Sequence, residues 1–477
     1  MNSKFYKLGV PSILLAGAGF GFGLSYFRPG YLSRVDFLAG AIFLQVLGAV
    51  LWKFERRFLP FLLVVFLWAG CWIPFAGIWT SARWAVLGAG AVTGCILYMK
   101  NHNHYLGAYH LVAAFCIVAA LVSAMVSLDP AVAFMKTASL LLLFLFAAAG
   151  ARQAVRGREQ QFFGGVLLGC ELLVYAAAVS YFMFRFPCFG NPNSLGAIMG
   201  VVGVPVMLWG VLTSDKVLIR RRRMFALFLA ILLMLSSYAR AGILAAAVAF
   251  VLVGWGLRQY RLLVKGFIAA LLCAMVVVTY VPLERAESGS VVSAFIYKGS
   301  DEVSVLESRQ SVWDQTYSSI QQHPWFGTGF GTSTTDFDNA QADTSGRFES
   351  AVHVTREHGN SYLAISEWVG LLGVLPFFTL VLITVRNVGR AVMWMRRTGD
   401  LRSPIVPLAA ILSAGLTHAA FEDWLFAVGY YLCVFFWINA FLLIDFLPAS
   451  VPAHQMLGLS PGPAEWADRF GVIPSAR

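Results

Sequence analysis

Arginine side chains that could bind phosphate stand in polar stretches of an otherwise apolar chain. Arg240 lies in Ser236–Gly242, which interrupts an apolar run and offers no loop long enough to hold the charge in water. Arg309 lies in a long hydrophilic stretch. A guanidinium binds phosphate oxygens bidentately and stays charged at any relevant pH. Each arginine could instead anchor its helix at the lipid headgroups, but a charge as deep as that of Arg240 predicts a functional site.

The histidines of the hydrophilic stretch could carry a proton near neutral pH. His358 precedes Gly359, Asn360 and Ser361, where the chain turns into an apolar run. A loop histidine often only faces water, but this position predicts a role in proton transfer. His353 lies five residues earlier, without the further ligands or the i, i+4 spacing of a zinc site. We therefore expect no bound metal and no cofactor.

Composition excludes a soluble fold. The chain has 477 residues, of which 59% are hydrophobic and 12% charged, and its mean hydropathy is +0.72. Lipid requires long apolar runs to be helical, because every backbone polar group must be satisfied internally. The sequence predicts an all-α polytopic membrane protein with about 14 spans (12 to 14). We place them at residues 8–27, 37–52, 58–79, 84–99, 106–126, 131–150, 162–184, 194–213, 224–238, 242–257, 262–282, 361–384, 404–420 and 425–447.

Basic loops orient these spans. The net charge of +11 does not indicate nucleic acid, because Lys and Arg collect in the cytoplasmic loops of membrane proteins. Both termini are expected on the cytoplasmic side of the membrane. The strongly basic connections are Lys53–Arg57, Arg152–Arg158, Lys216 with Arg220–Arg223, Arg258–Lys265 and Arg386–Arg402.

One large loop interrupts the predicted spans. Helices 1 to 11 occupy residues 1–282, the loop 283–360 lies on the periplasmic face, helices 12 to 14 occupy 361–447, and 448–477 form a cytoplasmic tail. Loops of this length are usually functional or disordered. Apolar residues at rough helical spacing in Ser304–Ile320 predict an amphipathic helix within it, ended by Pro324. The tail is expected to be poorly ordered.

Glu171 lies within the predicted span 162–184. A buried carboxylate is costly, so we expect it to be protonated or paired with a polar partner. It could mark a proton pathway in a transporter, although no second acidic or basic partner is evident in the neighbouring spans.

Four motifs resemble the bacterial O-antigen ligase and O-antigen polymerase family. Phe189–Gly196 is similar to the Gly-Asn-Pro-Asn signature that opens a span in that family, and Ser236–Gly242 to its Ser-x-x-x-Arg-x-Gly helix junction. The third motif is Arg309 with Trp313, similar to its Arg-x-x-x-Trp segment, followed by His323–Gly331, similar to its Pro-x-x-Gly-x-Gly turn. The fourth is His358–Gly373, similar to its His-Asn-x-x-Leu segment with Gly-x-x-Gly.

The resemblance implies glycosyl transfer from an undecaprenyl diphosphate-linked glycan to an acceptor hydroxyl on a glycan, lipid or protein, without metal. Arg240 and Arg309 would bind the diphosphate and stabilise charge on the leaving group, and His358 would act as general base. A chain-length regulator could be a further partner, beside membrane lipid. The other expected substrate contacts are Arg185, Asn191, Asn193, Arg347, Arg356, His353 and Asn360.

One departure from the family pattern concerns the base. The family's histidine should directly precede Asn360, where this chain has Gly359. His358 could still be the base, His353 could replace it, or the step needs no histidine. Two other classes remain open: a transporter or flippase of lipid-linked glycans, which needs polar residues along a central cavity, and a non-catalytic scaffold. The pattern does not separate polymerase from ligase.

Overall fold

The computed structural model describes residues 107–155, 157–185, 189, 192–280, 307–333 and 358–448, with scattered positions between residues 15 and 95. Regular structure in these residues is helical throughout. Five of the described helices are long and apolar enough to cross a membrane, and three shorter ones are also apolar. The helices are α1 Ala108–Met125, α2 Pro130–Ala148, α3 Glu159–Met183, α4 Pro192–Leu212, α5 Val217–Ser236, α6 Arg240–Gly256, α7 Tyr260–Tyr280, α8 Glu307–Gln322, α9 Ser361–Thr398, α10 Ile405–Ala419 and α11 Tyr431–Phe446.

Helices α1 to α7 and α9 to α11 lie at predicted spans five to fourteen, and α8 is the helix predicted within the large loop. The four earlier predicted spans lie outside the described residues apart from isolated positions. The tail 448–477 also lies outside them, except Pro448. The count of 14 spans and the position of the large loop therefore remain predictions.

Several predicted boundaries are wrong. Arg152–Val155 and residues 260–265, which were expected in basic connections, are helical. The basic stretch Arg386–Arg402 was expected to be a loop, but α9 continues to Thr398 and ends where Gly399 adopts a φ of +66°. Between Arg386 and Gly399, no glycine or proline in a non-helical conformation ends α9, so these residues stay helical. Arg220–Arg223 likewise belongs to the first turns of α5. Helix α11 begins at Tyr431 rather than at residue 425, because the preceding residues form turns against the core, with Trp424 and Leu425 buried.

Helix α9 is broken at Gly370. Its φ of +64° and ψ of −175° are accessible essentially to glycine alone. The break releases backbone groups of α9, and the segment that follows α8 pairs with them. Thr328 and Gly329 donate to the carbonyls of Glu367 and Trp368 at 3.0 and 3.1 Å. In the other direction, Leu371 and Leu372 donate to the carbonyls of Pro324 and Trp325 at 2.8 and 3.1 Å.

The hairpin of α1 and α2 holds the same segment from the other side. Ser123 donates to the carbonyl of Trp368, and the hydroxyls of Ser127 and Thr332 lie 3.0 Å apart. The ammonium group of Lys136 donates to the carbonyl of Gly331. We name residues 324–333 the plug segment. It is fixed to α9 by backbone bonds and to α1 and α2 by side chains.

The buried Glu171 is paired, as one of the two predicted states requires. Its carboxylate is bound by the guanidinium of Arg222 on α5, with N–O distances of 2.6 and 2.9 Å. The Glu171 side chain is 3% exposed and that of Arg222 is 52% exposed. The basic partner is therefore present, and the sequence analysis missed it because Arg222 was assigned to a loop rather than to a neighbouring helix.

We predict that Arg222→Met destabilises the protein by about 1–3 kcal/mol, because it leaves the buried carboxylate of Glu171 without its cation. The thermal unfolding midpoint of the purified full-length protein in detergent measures this effect. The exposed Arg221→Met is the matched control. Equal unfolding midpoints for the two variants would refute a stabilising role for the pair.

Candidate active site

The helix ends that carry the predicted site residues share one end of the bundle. Helices α6 and α9 are parallel, because Gly256 at the end of α6 lies against Met395 near the end of α9. Helix α10 is antiparallel to α9, because Tyr362 donates to the carbonyl of Leu416 at 3.0 Å. The beginnings of α6 and α9 and the end of α10 therefore lie toward the same side of the bundle. We name this the site end.

His358 stands immediately before α9 and is buried, with a side-chain exposure of 0%. Its Nδ1 lies 3.1 Å from Oδ2 of Asp423, which also accepts the backbone N–H of His358 at 2.9 Å. Its Nε2 lies 3.1 Å from Oε2 of Glu367 and 3.1 Å from Oγ of Ser333. The ring of Trp368 stands perpendicular to the imidazole, with centroids 5.6 Å apart. Both ring nitrogens therefore face carboxylates.

These contacts favour a charged pair of His358 and Asp423. Burial lowers the pKa of His358, but hydrogen bonds and charge from Asp423 and Glu367 outweigh it, so the pKa lies above its ordinary value. Burial raises the pKa of Asp423, but the bonds from the ring and backbone of His358 and its charge outweigh this and hold the pKa below its usual value. Asp423 is thus an ionised carboxylate, and its side chain is 25% exposed.

Arg309 on α8 reaches the same place. Its Nη1 donates to the carbonyl of Gly359 at 3.0 Å and to that of Phe421, and its Nη2 lies 3.5 Å from Oε1 of Glu422. The guanidinium also lies 5.7 Å from the ring centre of Phe421. Arg309 is 26% exposed and joins α8, the start of α9 and the connection between α10 and α11. A cation and a carboxylate, both reachable from outside, are therefore held in neighbouring positions.

Asn360 has a structural position at the start of α9, and its contact with substrate stays a prediction. Its Oδ1 accepts the backbone N–H groups of Tyr362 and Leu363 at 2.8 and 3.2 Å. It therefore caps the N-terminus of α9, a common role for asparagine. Gly359 adopts a φ of +60°, which glycine readily allows. These two residues set the direction in which His358 enters the core.

Arg240 is the first residue of α6 and is half-buried at the site end. The turn before it has Tyr238 at a φ of +53°, and Oγ of Ser237 accepts the N–H of Ala239 at 3.3 Å. The polar stretch Ser236–Gly242 therefore forms the helix junction that its sequence predicts.

Arg185 and Asn193 also lie at the site end, and both are exposed. Helix α3 ends beside this junction, since Tyr181 donates to the carbonyl of Ser236 at 2.9 Å, and Arg185 follows two residues after α3. Asn193 is in the first turn of α4, which approaches α6 through the backbones of Gly196 and Gly242. Both remain predicted substrate contacts.

The other predicted contacts, Asn191, Arg347, His353 and Arg356, lie outside the described residues. Within the described residues, no group of three or more His, Cys, Asp or Glu side chains is arranged to hold a metal ion.

Asp423, Glu367 and Ser333 were not predicted as site residues. Glu367 carried a usable signal, because it is a carboxylate within a predicted span, as Glu171 is. Asp423 carried a weaker signal, because it lies in the short connection between the last two predicted spans. Ser333 gave no signal, because a single serine in a polar loop is unremarkable in sequence.

The family model described as O-antigen ligase matches residues 225–378. Residues 225–378 are thus similar to the O-antigen ligase family. The matched region includes Arg240, Arg309 and His358, and three of the four motifs that carried the resemblance. It begins after Phe189–Gly196 and ends before Asp423. A search among characterised proteins finds no match.

The match is to a family with a glycosyl-transfer role in polysaccharide biosynthesis, in which a lipid-linked glycan is the donor and a separate molecule the acceptor. The apolar helices agree with this, because a lipid-linked donor resides in a membrane. Residues of the matched region and of the connection between α10 and α11 lie together in the candidate site.

Proposed function

We propose that the protein transfers a glycan from undecaprenyl diphosphate to an acceptor hydroxyl on the periplasmic face of a bacterial inner membrane. The observation that carries this proposal is the partly exposed pair of Asp423 and Arg309, held by buried His358 and by the carbonyls of Gly359 and Phe421. Glycosyl transfer with a diphosphate leaving group needs a proton acceptor and a cation on opposite sides of the anomeric carbon.

In this reaction, Asp423 takes the proton from the acceptor hydroxyl. The acceptor oxygen forms a bond to the anomeric carbon, and the bond from that carbon to the diphosphate oxygen breaks. The diphosphate leaves with the bonding electrons, and Arg309 and Arg240 stabilise its negative charge. Carboxylates act as the general base in many inverting glycoside hydrolases, so this role suits Asp423.

His358 then has a different role from the one its sequence position predicts. Its ring has no exposed surface and both nitrogens face carboxylates, so it orients and charges Asp423 rather than contacting the acceptor. This arrangement parallels other active sites in which a buried partner fixes the group that reacts. His353 remains a second predicted base.

We predict that Asp423→Asn lowers the transfer rate at least about 10²-fold, because it removes the proton acceptor and keeps the side-chain shape. The measurement is transfer of glycan from a lipid-linked donor by the purified full-length protein in proteoliposomes. Asp215→Asn is the matched control, since Asp215 is 75% exposed at the opposite end of the bundle. Wild-type transfer by Asp423→Asn would exclude Asp423 as the base.

The products in cells that carry these variants separate the remaining functions. Normal-length glycan retained on the lipid carrier indicates a ligase, and chains limited to a single repeat unit indicate a polymerase. Lipid-linked glycan that stays on the cytoplasmic leaflet indicates the flippase alternative instead. Wild-type surface polysaccharide in Asp423→Asn and Arg309→Ala cells would refute the enzyme proposal.

A further inference from the structure

Glu367 is a buried carboxylate that the reaction above does not use. It lies in the second turn of α9 with a side-chain exposure of 0%, and its Oε2 is 3.1 Å from Nε2 of His358. Burying a carboxylate costs several kcal/mol unless the charge is compensated. A carboxylate at this depth, in contact with a residue of the site, calls for a specific role.

The backbone around Glu367 is fixed by the break in α9. Its carbonyl accepts the N–H of Thr328 at 3.0 Å, and the next carbonyl, that of Trp368, accepts the N–H of Gly329. The break at Gly370 follows three residues after Glu367. The plug segment thus sets the backbone from which the Glu367 side chain reaches the imidazole.

The contacts of His358 determine where its protons lie. Oδ2 of Asp423 accepts the backbone N–H of His358 and lies 3.1 Å from Nδ1, so Nδ1 donates. An unprotonated Nε2 and an ionised Oε2 at 3.1 Å would place two lone pairs against each other. A proton must lie between them, and the imidazole is the stronger base for it, because the reference pKa of histidine exceeds that of glutamate. The hydroxyl of Ser333 can rotate to accept from Nε2 in addition.

We infer that Glu367 is a positioning residue that holds a proton on Nε2 of His358, so that the imidazole stays doubly protonated between two carboxylates. In this state His358 cannot accept a proton from the acceptor hydroxyl. It instead acts as a fixed cation that keeps Asp423 ionised and oriented. The effect on catalysis rests on the proposed function. The protonation state of His358 does not depend on it.

The described charged groups around His358 come from each element packed against it. Asp423 and Glu422 come from the connection between α10 and α11, Glu367 from α9 and Arg309 from α8. Arg309 bonds to the carbonyl of Gly359, and its charge is paired with Glu422 rather than with either carboxylate that faces the ring.

The protonation state can be measured without any assay of activity. The full-length protein is labelled with ¹⁵N-histidine in lipid nanodiscs, and the ring nitrogens of His358 are assigned by their loss in His358→Gln. Both nitrogens should carry a proton at neutral pH, and Glu367→Gln should move the loss of one proton to lower pH. Glu171→Gln, which alters a distant buried carboxylate, should leave both signals in place. A wild-type Nε2 without a proton at neutral pH overturns the inference.

The pH dependence of transfer tests the catalytic consequence. The active state requires protonated His358, so activity is lost as pH rises through the pKa of His358. Glu367→Gln removes a charge that raises this pKa, so the alkaline limb of the profile should move to lower pH. Each unit of movement lowers the rate about tenfold at a fixed pH beyond the limb.

A general-base role for His358 predicts the opposite result. The acid limb would move to lower pH in Glu367→Gln, and activity at acidic pH would rise. That outcome, or an unchanged profile, overturns the inference. If the wild-type protein transfers no glycan at any pH, the proposed function fails, while the nitrogen signals still decide the protonation state.

Discussion

Replacing Arg309 with alanine is expected to lower glycan transfer about 10²- to 10³-fold, the loss typical of removing one group that stabilises a developing charge. The guanidinium is 26% exposed and is anchored at the carbonyls of Gly359 and Phe421, so its direction is set before a donor binds. Arg309→Lys keeps the charge but loses the planar guanidinium, whose Nη1 bonds both carbonyls while its Nη2 faces Glu422. We therefore expect lysine to restore only a small part of the rate.

Transfer from a lipid-linked donor in proteoliposomes measures this loss, with Arg402→Ala as control. Arg402 is 71% exposed and pairs with Asp215 at the opposite end of the bundle. Equal membrane abundance of the variants separates loss of chemistry from loss of folding. If Arg309→Ala keeps more than about a tenth of the wild-type rate, leaving-group stabilisation by this residue is refuted.

Gly370→Ala is expected to prevent the protein from reaching its normal abundance in the membrane. A Cβ at this position would lie 2.5 Å from the nitrogen of Gly327 and from the carbonyl carbon of Trp325, both of them backbone atoms that cannot move independently. The backbone conformation alone costs a residue other than glycine about 1–3 kcal/mol. The plug segment would be pushed away from α9, and four backbone hydrogen bonds would open.

Gly389→Ala, in the same helix, is the matched control. A Cβ there meets nothing within 4 Å, and alanine is a better helix former than glycine by about 1 kcal/mol. The two variants should therefore change the thermal unfolding midpoint in opposite directions. A Gly370→Ala protein as stable as Gly389→Ala would mean that the break in α9 is not required by the fold.

The sequence predicted the helices better than it predicted the burial of His358. Apolar length and the scarcity of charge identify a membrane helix without knowledge of its neighbours. Polar motifs at predicted span ends place residues on one face, and the structure brings the main chain beside His358 into contact with Arg309. These inferences depend only on local sequence and on the order of the spans.

The burial of His358 depends on packing that no local pattern contains. The ring is enclosed by side chains that come from α9 and from the connection after α10, more than 60 residues further along the chain for Asp423. The break in α9 was also missed, because a glycine in an apolar run fits a straight helix equally well. Its positive φ follows from the plug segment, which approaches from a different part of the chain.

The hydrogen bonds that the α1 and α2 hairpin makes to the plug segment and to α9 have a consequence for biosynthesis. Ser123, Ser127 and Lys136 emerge from the ribosome about 200 residues before the groups that they bond, Trp368, Thr332 and Gly331. Until those residues have been synthesised, the α1 and α2 hairpin carries polar side chains whose final partners do not yet exist. Insertion of the early helices is therefore provisional, and a nascent chain that stalls before α9 should be a preferred substrate for membrane quality-control proteases.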